Sequence, residues 1–156
     1  MAQIRYIVGD ATAPIGDGNK LIIHICNNRG GFGKGFALAL AEKWPEAKHS
    51  YKAWHNFDRG NFQLGEARYH FMERYIWVVH MIAQEGYSSP GKPAIRYDAL
   101  RKCLRRVAGF ASVLGASIHC PRIGAGLAGG DWVVIEKMIQ EELVDKGFDV
   151  FVYDLE

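Results

Sequence analysis

The chain has 156 residues, of which 49% are hydrophobic and 23% charged, with a formal net charge of +2. That length suits one domain with a real core, and the charge is too small for a general nucleic-acid footprint. No apolar run approaches membrane-spanning length and no signal peptide opens the chain, so a cytoplasmic protein without a membrane contact is expected. The three cysteines, Cys26, Cys103 and Cys120, sit in apolar periodic segments and form no C-x-x-C pair. Free buried thiols follow.

Residues 3–9 alternate around β-branched and aromatic side chains and predict a strand. Residues 20–26 form a continuous apolar run, the pattern of a strand buried on both faces. Alanine- and leucine-rich residues 34–44 predict a helix, broken by Pro45, which suits the first turn of a second helix reaching about Asn56. Residues 66–72 and 75–83 predict two strands of a hairpin, and residues 84–93 a Gly/Ser/Pro loop. The clearest helix spans 96–114, with Leu100, Cys103, Leu104, Val107, Ala111 and Leu114 on one stripe. Its basic cluster, Arg101, Lys102, Arg105 and Arg106, reads as a solvated face, with an acidic partner as the alternative. Residues 117–120 predict a strand, 132–146 a helix and 149–155 a closing strand. Helices alternating with mostly buried strands imply a single three-layer α/β/α sandwich around a mixed, roughly six-stranded sheet.

Two glycine-rich turns each follow a strand and precede a helix: residues 30–35 and residues 121–132. Glycine lets backbone amides approach a ligand, and a helix start adds free N–H groups and a positive dipole end. Such turns cradle phosphates. Gly124-x-Gly126-x-x-Gly129 matches the dinucleotide-binding fingerprint, but no acidic strand end or further βα unit follows it. The first turn fails the P-loop pattern, because no Ser or Thr follows Lys34. The six histidines contain no metal-ligand spacing, so no metal and no cofactor are expected. His24 and His80 fit satisfied core histidines, though His24 is near enough to a strand end to reach a cleft. Asn27 either caps its turn or meets a ribose, and Asp131 either caps a helix or orients a water.

Four ordered segments resemble the macrodomains, a family that binds ADP-ribose without a metal. They are residues 9–12, residues 24–27 with 30–37, residues 81–84 with 95–100, and residues 121–132. The resemblance is strongest to the branch holding the terminal ADP-ribose protein glycohydrolase and the yeast-type ADP-ribose-1″-phosphate phosphatase. It implies that Asp10 and Ala11 meet the adenine and that Asn27 holds the distal ribose. Gly31, Phe32, Gly33 and Gly35 would close one loop, and Ile123, Gly124, Ala125, Gly126 and Leu127 would wrap the diphosphate. Gln84 stands where the glycohydrolase has its nucleophilic lysine, and glutamine cannot form that adduct. The phosphatase-like arrangement, His24-x-x-Asn27, is shared, so His24 is the implied acid–base with Asp131 as helper. A non-catalytic reader of ADP-ribose, free or on a modified macromolecule, is the alternative, as is a hydrolase acting on such a macromolecule. A monomer is expected.

Overall fold

The apolar run at residues 20–26 becomes the longest-buried strand of one mixed sheet. The computed structural model describes residues 1–156 and contains β1 (Ile4–Val8), β2 (Lys20–Asn27), α1 (Gly35–Lys43), α2 (Pro45–Phe57), β3 (Ala67–Glu73), β4 (Ile76–Gln84), α3 (Tyr97–Leu114), β5 (Ser117–Cys120), α4 (Trp132–Glu142) and β6 (Val150–Asp154). The strand order is β1-β6-β5-β2-β4-β3. Every neighbouring pair is parallel except the β3–β4 hairpin. The carboxyl ends of β1, β6, β5, β2 and β4 therefore share one edge, where open α/β sheets bind ligands.

Side-chain alternation along β2 feeds two cores. Leu21 and Ile23 pack with α3 and α4, whereas Ile22 and Cys26 pack with Leu40 of α1 and Tyr51 and Trp54 of α2. Helices thus cover both faces, giving the expected α/β/α layers. Cys26, Cys103 and Cys120 are all buried free thiols.

Two local details depart from the sequence expectations, and a third adds to them. Helix α4 stops at Glu142 rather than 146, and Leu143 leaves helical geometry (φ −121°). The bend lets Leu143 and Val144 both enter the core, and a 3-10 turn, Val144–Lys146, then closes on Gly147 at φ 99°. A second 3-10 turn, Arg59–Asn61, carries no periodicity that a sequence could announce. The basic face of α3 is largely solvent-exposed as expected, and its arginines also pair with carboxylates. Arg101 and Arg105 reach Glu142 at 2.8 and 3.3 Å, and Arg106 reaches Glu66 at 3.0 Å. The carboxylates come from other elements, so the helix's own sequence could not reveal them. Burial pushes the Glu142 carboxyl up, but the hydrogen bonds from Arg101, Arg105 and Lys146 outweigh it and hold the group below its usual range.

His119 on β5 is fully buried and bridges Ser117 Oγ (2.8 Å) and Tyr153 OH (2.7 Å). Burial, with a smaller contribution from Lys20, brings its pKa down to about 4 from 6.5. The unfolded chain therefore binds a proton that the native state refuses between these values. Stability is complete above pH 6.5 and falls as pH drops toward 4. We expect His119→Gln to flatten the stability–pH slope in this window by about one proton, measured by urea unfolding at several pH values. An unchanged slope would contradict the assignment.

Candidate functional site

β2 ends at Asn27, and the chain must turn across the sheet edge to start α1. Asn27 organises that turn. Its Oδ1 accepts from the amides of Arg29 (2.8 Å) and Gly31 (3.2 Å), and its Nδ2 donates to the Gly31 carbonyl (2.8 Å). Tyr51 OH donates to the Asn27 carbonyl at 2.7 Å and accepts from Gly30 N at 3.1 Å. One Nδ2 hydrogen of Asn27 is left over for a ligand. Beyond the turn, the amides of Phe32, Gly33 and Lys34 donate to nothing inside the protein, and no side chain caps α1.

The second loop leaves β5 at Cys120 and is folded by its own backbone. Gly130 N donates to Gly124 O at 2.7 Å and Gly129 N to Gly126 O at 3.0 Å. Gly124 adopts φ 74°, a conformation that favours glycine. The amides of Gly124, Gly126, Leu127 and Ala128 stay unpaired. The loop after β4 is strapped to this one, because the amides of Ala94 and Ile95 both donate to Ala128 O, at 3.0 and 3.1 Å.

These three loops enclose a cavity of about 680 Å³, lined by both sets of unpaired amides. Its size is that of a cofactor-sized ligand site. An ideal Cβ on Gly35 would sit 3.0 Å from Leu127 Cδ1, so the two glycine loops nearly touch at one end. Tyr87 OH approaches Gly31 so closely that a Cβ there would have to displace the Tyr87 ring. Gly33 and Gly126, by contrast, have nothing within 4 Å of an added Cβ. No Asp or Glu lines the cavity; Lys34 and Arg122 are its only Lys or Arg residues. Arg122 is held by Asp154 (2.7 and 3.0 Å) and lies over the Tyr6 and Trp132 rings at 5.0 and 5.3 Å. Lys34 is exposed and outside any ion pair. The pocket is thus rich in donors, open at its glycines and mildly positive, which suits an extended anion.

The structure brings most of the sequence candidates together. Asn27, Gly31, Phe32, Gly33, Gly35, Ile123, Gly124, Gly126 and Leu127 all line the cavity. Phe32 and Ile123 are 3% exposed and serve as its floor, Phe32 packing edge-on against His24. Ala125 is not a lining residue, and its amide donates to Arg122 O at 3.3 Å. Asp10 and the buried Ala11 lie on the same sheet edge, beyond β6 and outside the cavity itself. Asp10 Oδ1 accepts from Thr12 N and Thr12 Oγ, both at 2.8 Å, which leaves Oδ2 without a protein donor. Asp131 caps α4 through Val133 N (3.0 Å) and does not line the cavity. Tyr87, Ser88 and Lys34 line it without having been singled out as ligand contacts. Tyr87 and Ser88 sit in a loop whose only sequence signal is its turn composition, and Lys34's signal, a cation between two glycines, was present but ambiguous.

His24 is 2% exposed, its Nε2 2.7 Å from His80 Nδ1. His80 Nε2 meets Ser50 Oγ at 2.9 Å, and Ser50 Oγ donates to Ala47 O at 3.0 Å. This order fixes the tautomers: Ser50 spends its hydrogen on Ala47, so His80 Nε2 donates to it and His80 Nδ1 accepts from His24. Both rings are then neutral and fully ordered. Burial brings the His24 pKa down to about 3, far from the value suited to acid–base work near neutrality. Cys26 Sγ adjoins the pair, 3.5 Å from His24 Nε2. His24, Cys26 and His80 are the residues that offer a metal a set of soft and borderline donors.

No protein-family model matches the chain. Among solved structures, it is 45% identical to a macrodomain protein from Streptomyces coelicolor, covering 97% of this chain and 99% of that one at a TM-score of 0.87. It is 50% identical to a protein of unknown function from Bacteroides thetaiotaomicron, covering 99% of both at a TM-score of 0.94. Among curated proteins, it is 26% identical to an ADP-ribose 1″-phosphate phosphatase of Candida albicans over 89% of this chain and 93% of that one. It also matches the chromodomain-helicase-DNA-binding protein 1-like of Danio rerio at 27% identity, but spans only 15% of that protein's length.

Proposed function

This chain belongs to the macrodomain family, and on that premise we propose that it binds ADP-ribose in the groove and releases phosphate from ADP-ribose 1″-phosphate. The carrying observation is the pair of facing loops whose unpaired amides line one cavity. A diphosphate replaces the water those amides would otherwise bind, as at other anion-binding turns. Asp10 Oδ2 anchors the adenine amino group at the β1 end, and the spare Nδ2 hydrogen of Asn27 meets the distal ribose. The curated phosphatase of Candida albicans supports the choice of substrate.

In the reaction, water attacks phosphorus and the bond from phosphorus to the 1″ oxygen breaks. Phosphate leaves, and the ribose hydroxyl keeps the transferred proton. With no carboxylate lining the cavity, the ester's own phosphoryl oxygen takes the proton from the attacking water and passes it to the departing 1″ oxygen. Lys34 screens the charge of the terminal phosphate. Gln84, which spends its Nε2 on Gly86 O at 2.9 Å, offers Oε1 to orient the water. His24 is a positioning residue beneath the ribose, and Asp131 keeps its capping role.

Phosphate release from ADP-ribose 1″-phosphate tests this reading. We expect Lys34→Ala to lower kcat/KM about tenfold, the effect of one charge-assisted contact. His24→Ala lowers kcat without moving the pH profile, because the ring does not titrate near neutrality. Wild-type protein that binds ADP-ribose but releases no phosphate would end the enzymatic reading. The lack of any lining carboxylate favours the second reading in that event, a reader of ADP-ribose carried on a protein or nucleic acid.

A further inference from the structure

β2 and β4 run parallel with His24 paired directly to His80 in the register. Strand alternation puts Cys26 on the same face as His24, two residues further on. The three side chains are 2%, 4% and 0% exposed, and one donor atom from each lies within 4.8 Å of the others. Next to them, the buried Nε2 of His70 has no hydrogen-bond partner, and its ring centroid lies 5.3 Å from that of His80.

From this juxtaposition we propose that His24, Cys26 and His80 bind a single zinc-like cation directly under the floor of the groove. A tetrahedral zinc ion holds nitrogen at about 2.0–2.1 Å and thiolate sulfur at about 2.3 Å, so its ligand atoms stand roughly 3.3–3.6 Å apart. The contact from Cys26 Sγ to His24 Nε2, at 3.5 Å, falls within that spacing. The two imidazoles, 2.7 Å apart, must open by roughly 0.6 Å to match it, exchanging their mutual hydrogen bond for two metal bonds. On binding, the Cys26 thiol loses its proton to solvent and the sulfur–metal bond forms, while His24 moves its hydrogen from Nε2 to Nδ1, so that His24 Nε2 and His80 Nδ1 both coordinate as neutral donors. One thiolate against a divalent ion leaves a net positive charge. His24 and Cys26 both line the cavity, so the fourth position of the ion opens toward the groove, where an oxygen of water or of an anionic ligand completes it. Three protein ligands with one open position is the pattern of reactive rather than purely structural zinc sites.

Cadmium reads the thiolate directly, through its sulfur-to-metal charge-transfer absorption. Tag-free protein titrated with Cd²⁺ is expected to show this band saturating at one ion per chain. The band disappears in Cys26→Ser and persists in Cys103→Ser and Cys120→Ser, whose thiols lie elsewhere in the core. No band at one equivalent in wild type overturns the proposal, and so does a band that survives Cys26→Ser. Should Cys26→Ser not fold, the wild type still decides. Zn²⁺ must raise its Tm in a concentration-dependent way, and an unchanged Tm overturns the site. Neither measurement uses a nucleotide, so failure here is distinct from failure to bind ADP-ribose.

Discussion

Gly124→Ala is expected to destabilise the protein by about 2–3 kcal/mol, from left-handed strain and overpacking together. The position has φ 74°, where a side chain crowds its own carbonyl. The added methyl would also stand 2.6 Å from Ile95 Cδ1 and 3.0 Å from both Ile135 Cδ1 and Ile25 Cδ1. Those are the flexible ends of three side chains, yet Ile95 and Ile135 are buried in the core, so they have little room to give. Movement of Gly124 would further disturb its carbonyl, which accepts from Gly130 N at 2.7 Å and holds the loop closed. Urea unfolding measures the loss, and a change below about 1 kcal/mol would show that the loop shifts despite this packing.

Two residues along the same loop the outcome reverses. Gly126→Val is expected to weaken ADP-ribose binding by at least about a hundredfold while leaving stability within about 0.5 kcal/mol. A Cβ there meets nothing within 4 Å, and Gly126 is not among the glycines at positive φ. The branched side chain therefore starts from open space and an ordinary backbone conformation. It projects beside the unpaired amides of Gly126, Leu127 and Ala128, the surface a diphosphate must touch. Calorimetry with ADP-ribose and a parallel unfolding curve separate the two effects. Affinity retained within threefold of wild type would remove the diphosphate from this loop. The pair of substitutions thus separates the glycine that shapes the loop from the glycine that admits the ligand.

Why one glycine differs from the other could not be read along the chain. Gly124 and Gly126 look alike in sequence. Their difference arises because Ile25 of β2, Ile135 of α4 and Ile95 of the loop before α3 converge on the first and not the second. The cavity's third wall has the same origin. Tyr87 and Ser88 reach it because hydrogen bonds to Ala128 O hold their loop across the sheet edge. The ion pairs that hold Arg101 and Arg105 also depend on Glu142, which lies far along the chain.

Local patterns did reveal the layers, the six strands, the hairpin and both glycine turns, because each is written in spacing: period two, period 3.6, or glycine at a strand-to-helix handover. Asn27 was legible for the same reason, as an amide side chain at a strand end. The chemistry beneath the groove was not. His24 and Cys26 are neighbours on one strand, but His80 joins them only through the parallel register of β2 with β4. Burial lowers the pKa of both imidazoles, and the register ties His24 into a chain of hydrogen bonds through His80 to Ser50. Periodicity sets which face a residue occupies, whereas the partner it meets there, and hence its protonation, follows from how distant strands align.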